Sequence, residues 1–347
     1  MLLGVSVRGF RALFLVFFFV LLSACGILLA QAWLPPKGDG SVTFGVQTIS
    51  FDGHFDTGGN KLEGAGKSRA TNLLLGLSYS FTDRFTADLS LPYVITRYTG
   101  QPGELTFGNP LFIPAVLDDG SPHSAFQDFH LDLHYNVLRD SKRRALRDLS
   151  ITPFFSFVVP SHEYDWRGES AFGRYLREYV FGVSAGRLLT PVLRKAYFQG
   201  QYSYAFVQKP NNIPLNHSNV DLELGYFLPH SLAVHGFGNW LHTHGGITIE
   251  QALQNPQVFP VHDRLLQAGY WHFGAGTTYS LNDSMDLSFS YITYLAGTDT
   301  HFGRAITIST SWNFSTRRVK TSAASRDSSG RFLSNLTSLA LENMQSQ

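Results

Sequence analysis

A two-residue alternation of apolar and polar side chains constrains this chain most, because it is sustained for about ten residues at a time and recurs along its length. Successive side chains of a β-strand point to opposite faces, so such a segment makes a strand with one greasy and one polar side. From 128 to 136, Phe129, Leu131, Leu133 and Tyr135 alternate with Asp128, His130, Asp132, His134 and Asn136. Val220, Leu222, Leu224 and Tyr226 oppose Asn219, Asp221, Glu223 and Gly225; Ile306, Ile308 and Trp312 oppose Thr307, Ser309 and Ser311. Twelve such segments are expected, near 41–52, 68–81, 85–98, 125–137, 149–160, 177–187, 195–208, 218–228, 231–244, 264–281, 285–295 and 302–314. Lipid on one side and a lumen on the other demand this pattern of membrane strands. The expected fold is therefore all-β: a membrane-spanning, antiparallel, up-and-down β-barrel of about 12 strands.

The connections support this reading, since outer-membrane barrels carry short turns at one end and longer loops at the other. Short links fall near Asp83, 190–194, 229–231 and 282–284, with a longer basic one at 138–148. Between them come 53–66, 99–124, 161–176, 209–217, 245–263 and 296–301, six loops against five turns. An even strand count puts both termini at the turn end, in the periplasm. Tyr79, Phe81, Phe85, Tyr226, Phe227, Tyr279, Trp312 and Phe314 sit beside the short turns, where an interfacial aromatic girdle belongs. A soluble β-sandwich also alternates, but it needs outward faces more polar than the Gly, Ser and Thr found here. Charged residues make up only 15% of the 347, low for a water-exposed surface, and the net charge of +1 gives no general attraction to nucleic acid.

Arg8 and Arg11 followed by an apolar run to Ala30 read as a signal peptide, 1–32, ending at the A-x-A site Ala30-Gln31-Ala32. Leu22-Ser23-Ala24-Cys25 offers a competing lipoprotein site, in which Cys25 is the lipidated residue. Cys25 is the sole cysteine, so disulfides and cysteine catalysis are excluded. The barrel is expected over 33–314 and a polar periplasmic tail over 315–347, disordered or ending in a short helix near 332–344.

On the polar faces, Asp128, His130, Asp132 and His134 share one strand, and Asp88, Glu178, Asp221, Glu223 and Asp286 project to the same side. This makes an acidic lumen, for which a modest preference for cations is expected. Alternate residues lie roughly 6.5–7 Å apart along a strand, so the reading preferred for them is a hydrated wall. His242 and His244 face alike at the rim of a loop and are candidates for a metal or ligand site at the mouth, with plain decoration of the loop edge as the preferred reading. The 99–124 loop, with Pro102, Pro110, Pro114 and Pro122, is a candidate constriction of fixed shape. No cofactor or metal is expected. The chain has no His-x-Ser pair of the kind barrel phospholipases use, and no phosphate-loop, zinc or dinucleotide spacing, so no catalytic residues are assigned.

The stretch Trp33-Leu34-Pro35-Pro36-Lys37-Gly38-Asp39-Gly40-Ser41-Val42, with Leu91-Pro92-Tyr93, Asp221-Leu222-Glu223-Leu224-Gly225-Tyr226 and Ser311-Trp312-Asn313-Phe314, resembles a bacterial outer-membrane family named for the meta pathway of phenol degradation. The resemblance implies a barrel that transports small, hydrophobic or aromatic solutes. The expected function is accordingly an outer-membrane channel or transporter, with lipid and small solutes as its partners. A non-conducting barrel that anchors a periplasmic partner and a barrel enzyme are the alternatives. The sequence carries no sign of oligomeric state.

Overall fold

Each alternating segment becomes a strand: β1 (Asp39–Phe55), β2 (Lys61–Thr82), β3 (Phe85–Gly100), β4 (His123–Phe126), β5 (Asp128–Tyr135), β6 (Leu149–Pro160), β7 (Glu178–Leu188), β8 (Ala196–Val207), β9 (His217–Leu228), β10 (Leu232–Thr243), β11 (Gly269–Asn282), β12 (Met285–Thr298) and β13 (Thr300–Ser315). The structure, a computed structural model, describes residues 32–100, 116–139, 148–190, 193–255, 257–258 and 261–317. Strands β4 and β5 both lie along β3 and are separated by Gln127 alone, so they form one stave of a barrel of twelve. Every pairing is antiparallel between neighbours, and β1 pairs with both β2 and β13 to close the ring. Closure leaves no open edge, which a sheet in lipid cannot tolerate.

The expected strand centres are met, and the differences lie at the loop end. Strand β2 starts at Lys61, and β11 starts at Gly269 because His262–Leu265 forms a short helix, α2. A second short helix, α1 (Ile249–Leu253), is fixed by a reciprocal capping box between Thr248 and Gln251. No described helix is long and apolar enough to cross a membrane. Cys25, most of the expected signal segment and the tail beyond Arg317 lie outside the described residues, as do Pro102, Pro110 and Pro114.

Burial is inverted relative to a water-soluble protein. Outward Phe44, Leu75, Ile308 and Trp312 are 50%, 55%, 50% and 65% exposed, whereas inward Gln47, Asn72 and Thr307 are at most 1% exposed. Such a belt of bare apolar side chains is stable only against hydrocarbon. Inside, polar groups satisfy one another: Asn72 Nδ2 donates to Gln47 Oε1 (3.2 Å), Gln47 Nε2 to Thr307 Oγ1 (3.1 Å), and the hydroxyls of Thr43 and Ser311 are 2.7 Å apart. Unpaired, each buried group would cost about 1–3 kcal/mol. Large inward side chains lie flat across the wall where the neighbouring strand has glycine. The Tyr197 ring covers Gly225 so closely that a Cβ there would sit 2.3 Å from ring carbons.

The two ends are filled differently. At the loop end, inward Ile49, Phe51, Val94, Leu241, Ile292 and Tyr294 form an apolar cluster with Leu117, Tyr164 and Phe172 of the loops. The loops therefore fold into the barrel. At the turn end, residues 32–34 enter it: the Ala32 carbonyl accepts hydrogen bonds from Ser150 Oγ (2.6 Å), Thr152 Oγ1 (2.8 Å) and Asn136 Nδ2 (3.5 Å), and Trp33 meets Tyr197 edge-on.

Candidate functional site

The candidate site is the inward wall between these two ends. Strand periodicity turns Asp88, Asp128, His130, Asp132 and His134 inward, where all are 6% exposed or less. Register places Asp88 opposite Asp132 across β3 and β5, with His134 Nε2 3.2 Å from Asp88 Oδ2 and its ring stacked on Phe154. Asp221 accepts from Asn219 Nδ2 (2.8 Å) and Asn239 Nδ2 (2.6 Å), while Asn239 Oδ1 lies 2.7 Å from His272 Nε2. Glu223 accepts from the Tyr197 hydroxyl and from Gln199 Nε2. Asp286, next to a short turn, accepts from the Ser280 hydroxyl and from Asn313 Nδ2 (2.8 Å). Glu178 lies 3.9 Å from both Arg174 Nη1 and His217 Nε2.

The nine lumen candidates thus all occupy the inward face, but they form several hydrogen-bonded groups around the wall and do not converge on one point. Asp88, Asp128, Asp132, Glu178, Asp221, Glu223 and Asp286 supply seven carboxylates. Among the described strand residues, no Lys or Arg lies on the inward faces that alternate with the lipid belt. His217, Asn239 and His272 join the wall without having been singled out, although their parity in β9, β10 and β11 places them there.

His242 and His244 share a face, with their rings 5.0 Å apart, but it is the outer one. In β10 the buried positions are Ala233, His235, Phe237, Asn239, Leu241 and Thr243, so the even positions point away from the lumen. His242 stacks on Trp240, and His244 stacks on Tyr204 and bonds Ser218 Oγ (2.8 Å). They belong to the outer aromatic surface at the loop end of β10, as decoration of the loop edge, and do not open on the lumen.

The loops bring further groups. The Tyr164 hydroxyl donates to Asp128, and burial together with that carboxylate pushes the phenol well above its ordinary range, keeping it a donor. Arg264 lies over the Trp166 ring (4.2 Å) and donates to the Tyr175 carbonyl (3.1 Å). From the longest loop, Leu117 enters the apolar cluster and Asp118 accepts from the backbone of Glu169 and Ser170 at 3.0 Å each. Burial outweighs these bonds and raises the Asp118 carboxyl above its usual range.

No protein-family model matches the chain, and no curated protein matches it in sequence. Among solved structures it is similar to the COG4313 outer membrane channel from Pseudomonas putida F1, with a TM-score of 0.63 and 12% identity, over 83% of this chain and 100% of that one. It also aligns with the CymD monoaromatic hydrocarbon channel (TM-score 0.41, 10% identity, 82% of this chain and 90% of that one) and with the P. putida toluene transporter TodX (0.40, 10%, 84% and 94%). The likeness to the first is one of fold, that of an outer-membrane barrel. The motif resemblance to the phenol-pathway family has no family-model match beside it.

Proposed function

We propose that this chain is an outer-membrane channel for small solutes, with the loop end outside the cell and both ends of the barrel domain in the periplasm. The observation that carries this reading is the inverted barrel itself. Apolar side chains face outward, and an inward wall of carboxylates, imidazoles, amides and hydroxyls runs between the turns and the loops. Eight strands are filled by their own side chains and sixteen leave an open channel, so twelve suit a narrow, partly plugged lumen.

The interior is amphipathic in a way that bears on cargo. Phe51, Phe237, Tyr270, Ile292 and Tyr294 line one side of the loop-end half, while Asp128, Glu178, His217 and Asp221 stand on β5, β7 and β9. A hydrophobic or aromatic solute with a polar or cationic substituent fits both, and the seven carboxylates favour cations over anions. Swelling of protein-loaded liposomes in isosmotic small sugars, amines, carboxylates and aromatic alcohols tests the reading. Faster entry of the amines and aromatic alcohols than of size-matched carboxylates is expected, and swelling no faster than that of empty liposomes for every solute overturns it.

A second reading has its own observation. The lodged Ala32–Leu34 segment and the loop-end cluster occupy both ends of the lumen, as in a barrel that is shut at rest or serves as an anchor.

A further inference from the structure

At the loop end, four side chains that the lumen wall does not use converge on one point. They are His54 near the end of β1, His262 and Asp263 at the start of α2, and His301 at the start of β13; one ligand atom from each lies within 4.8 Å of all the others. His301 Nε2 and His262 Nε2 stand 2.9 and 3.1 Å from the same Asp263 Oδ1, and His262 Nε2 is 3.4 Å from His54 Nε2. We propose that His54, His262, Asp263 and His301 bind a divalent transition-metal ion of the zinc type, which fastens the inward-folded β10–β11 loop to the barrel wall.

The distances fit this chemistry. Ligands at 2.0–2.1 Å around a tetrahedral zinc are about 3.3–3.4 Å from one another, and the three closest separations, 2.9, 3.1 and 3.4 Å, come within about 0.5 Å of that value. Three imidazoles and one carboxylate suit zinc, nickel or copper(II) and disfavour calcium or magnesium, which take oxygen ligands. The backbone builds the site deliberately. Strand β1 carries a bulge between Phe51 and Gly53, and past it His54 pairs in register with His301, which brings their rings to 3.9 Å. Without the extra residue the parity of β1 would turn His54 away, and bulges commonly re-aim side chains at functional sites.

Metal binding at these four residues is independent of conduction. The test is equilibrium dialysis of the intact detergent-purified barrel against Zn2+ with excess Mg2+, read by elemental analysis, alongside His301→Ala, Asp263→Asn and, as a control on the outer face, His242→Ala/His244→Ala. One zinc per barrel is expected, with affinity lowered about 100-fold or more in the first two variants, at or beyond the effect of losing a supporting residue, and unchanged in the control. Folding of each variant is checked by heat-modifiable migration. Co2+ added to the wild type gives an independent reading, a tetrahedral visible absorption band that Zn2+ displaces. Absence of stoichiometric metal and of the cobalt band in the wild-type barrel, or binding that survives in folded His301→Ala and Asp263→Asn, overturns the proposal.

Discussion

Replacing Leu222 by arginine tests the inverted barrel at its most sensitive point. Strand β9 has 12 residues, about 40 Å of chain at ~3.3 Å each, and a tilt near 40° turns this into a membrane span of about 30 Å. Leu222 sits at its middle, outward and 43% exposed. An arginine at the bilayer midplane of a barrel costs about 2–4 kcal/mol, falling to ~0–1 kcal/mol near the interface. Leu222→Arg is therefore expected to lower folding stability by 2–4 kcal/mol. Met285→Arg, also outward but at a short turn, is expected to cost no more than about 1 kcal/mol. Reversible denaturant unfolding in lipid vesicles, followed by tryptophan fluorescence, measures both. In a water-soluble sandwich both sites would be exposed surface, where substitutions change stability by about 0.5 kcal/mol or less. Two small, equal changes would refute the assignment of the outer face to lipid.

Other consequences follow from the interior. Gly225→Val places side-chain atoms where the Tyr197 ring lies and is expected to destabilise the barrel by about 1–3 kcal/mol, as overpacking does; Tyr197→Ala in the same chain should recover part of the loss in the same unfolding assay. Ser150→Ala with Thr152→Val removes two of the three donors to the Ala32 carbonyl. At about 1 kcal/mol net for each bond, the entry segment should leave its seat roughly 30-fold more often, seen as more frequent openings in single-channel records. Cleavage at the A-x-A site expected from the sequence would remove that buried acceptor; the three contacts of its carbonyl point instead to a mature chain that retains Ala32, which the intact mass of the purified protein checks. A mass beginning at Trp33 contradicts this.

Much of the barrel was legible because one rule, period two, governs every strand, and lipid outside with a polar lumen inside makes both faces visible. Asp88, Asp128, His130, Asp132 and His134 could be placed inward by counting alone. Counting also puts His242 and His244 on one face at the loop edge, and their even parity, shared with Trp240, makes that face the outer one. The cluster at the loop end was not legible at all. Its members are 208 positions apart between His54 and His262 and 38 between Asp263 and His301, with no local motif. Alternation also misassigns His54, because the bulge before it shifts the phase by one residue. Inward folding of the loops follows from tertiary packing of Leu117, Tyr164 and Phe172, and no periodicity announces it.

Passage of small solutes along an acidic inward wall is read out by the reversal potential of the purified protein in planar bilayers under a KCl gradient. Discrete conductance steps and a reversal potential of the sign for K+ over Cl− are expected, the latter reduced when Asp88 and Asp132 are both changed to asparagine. Bilayers that stay silent, in the wild type and with the Ala32 seat removed, or a reversal potential favouring Cl−, would contradict it.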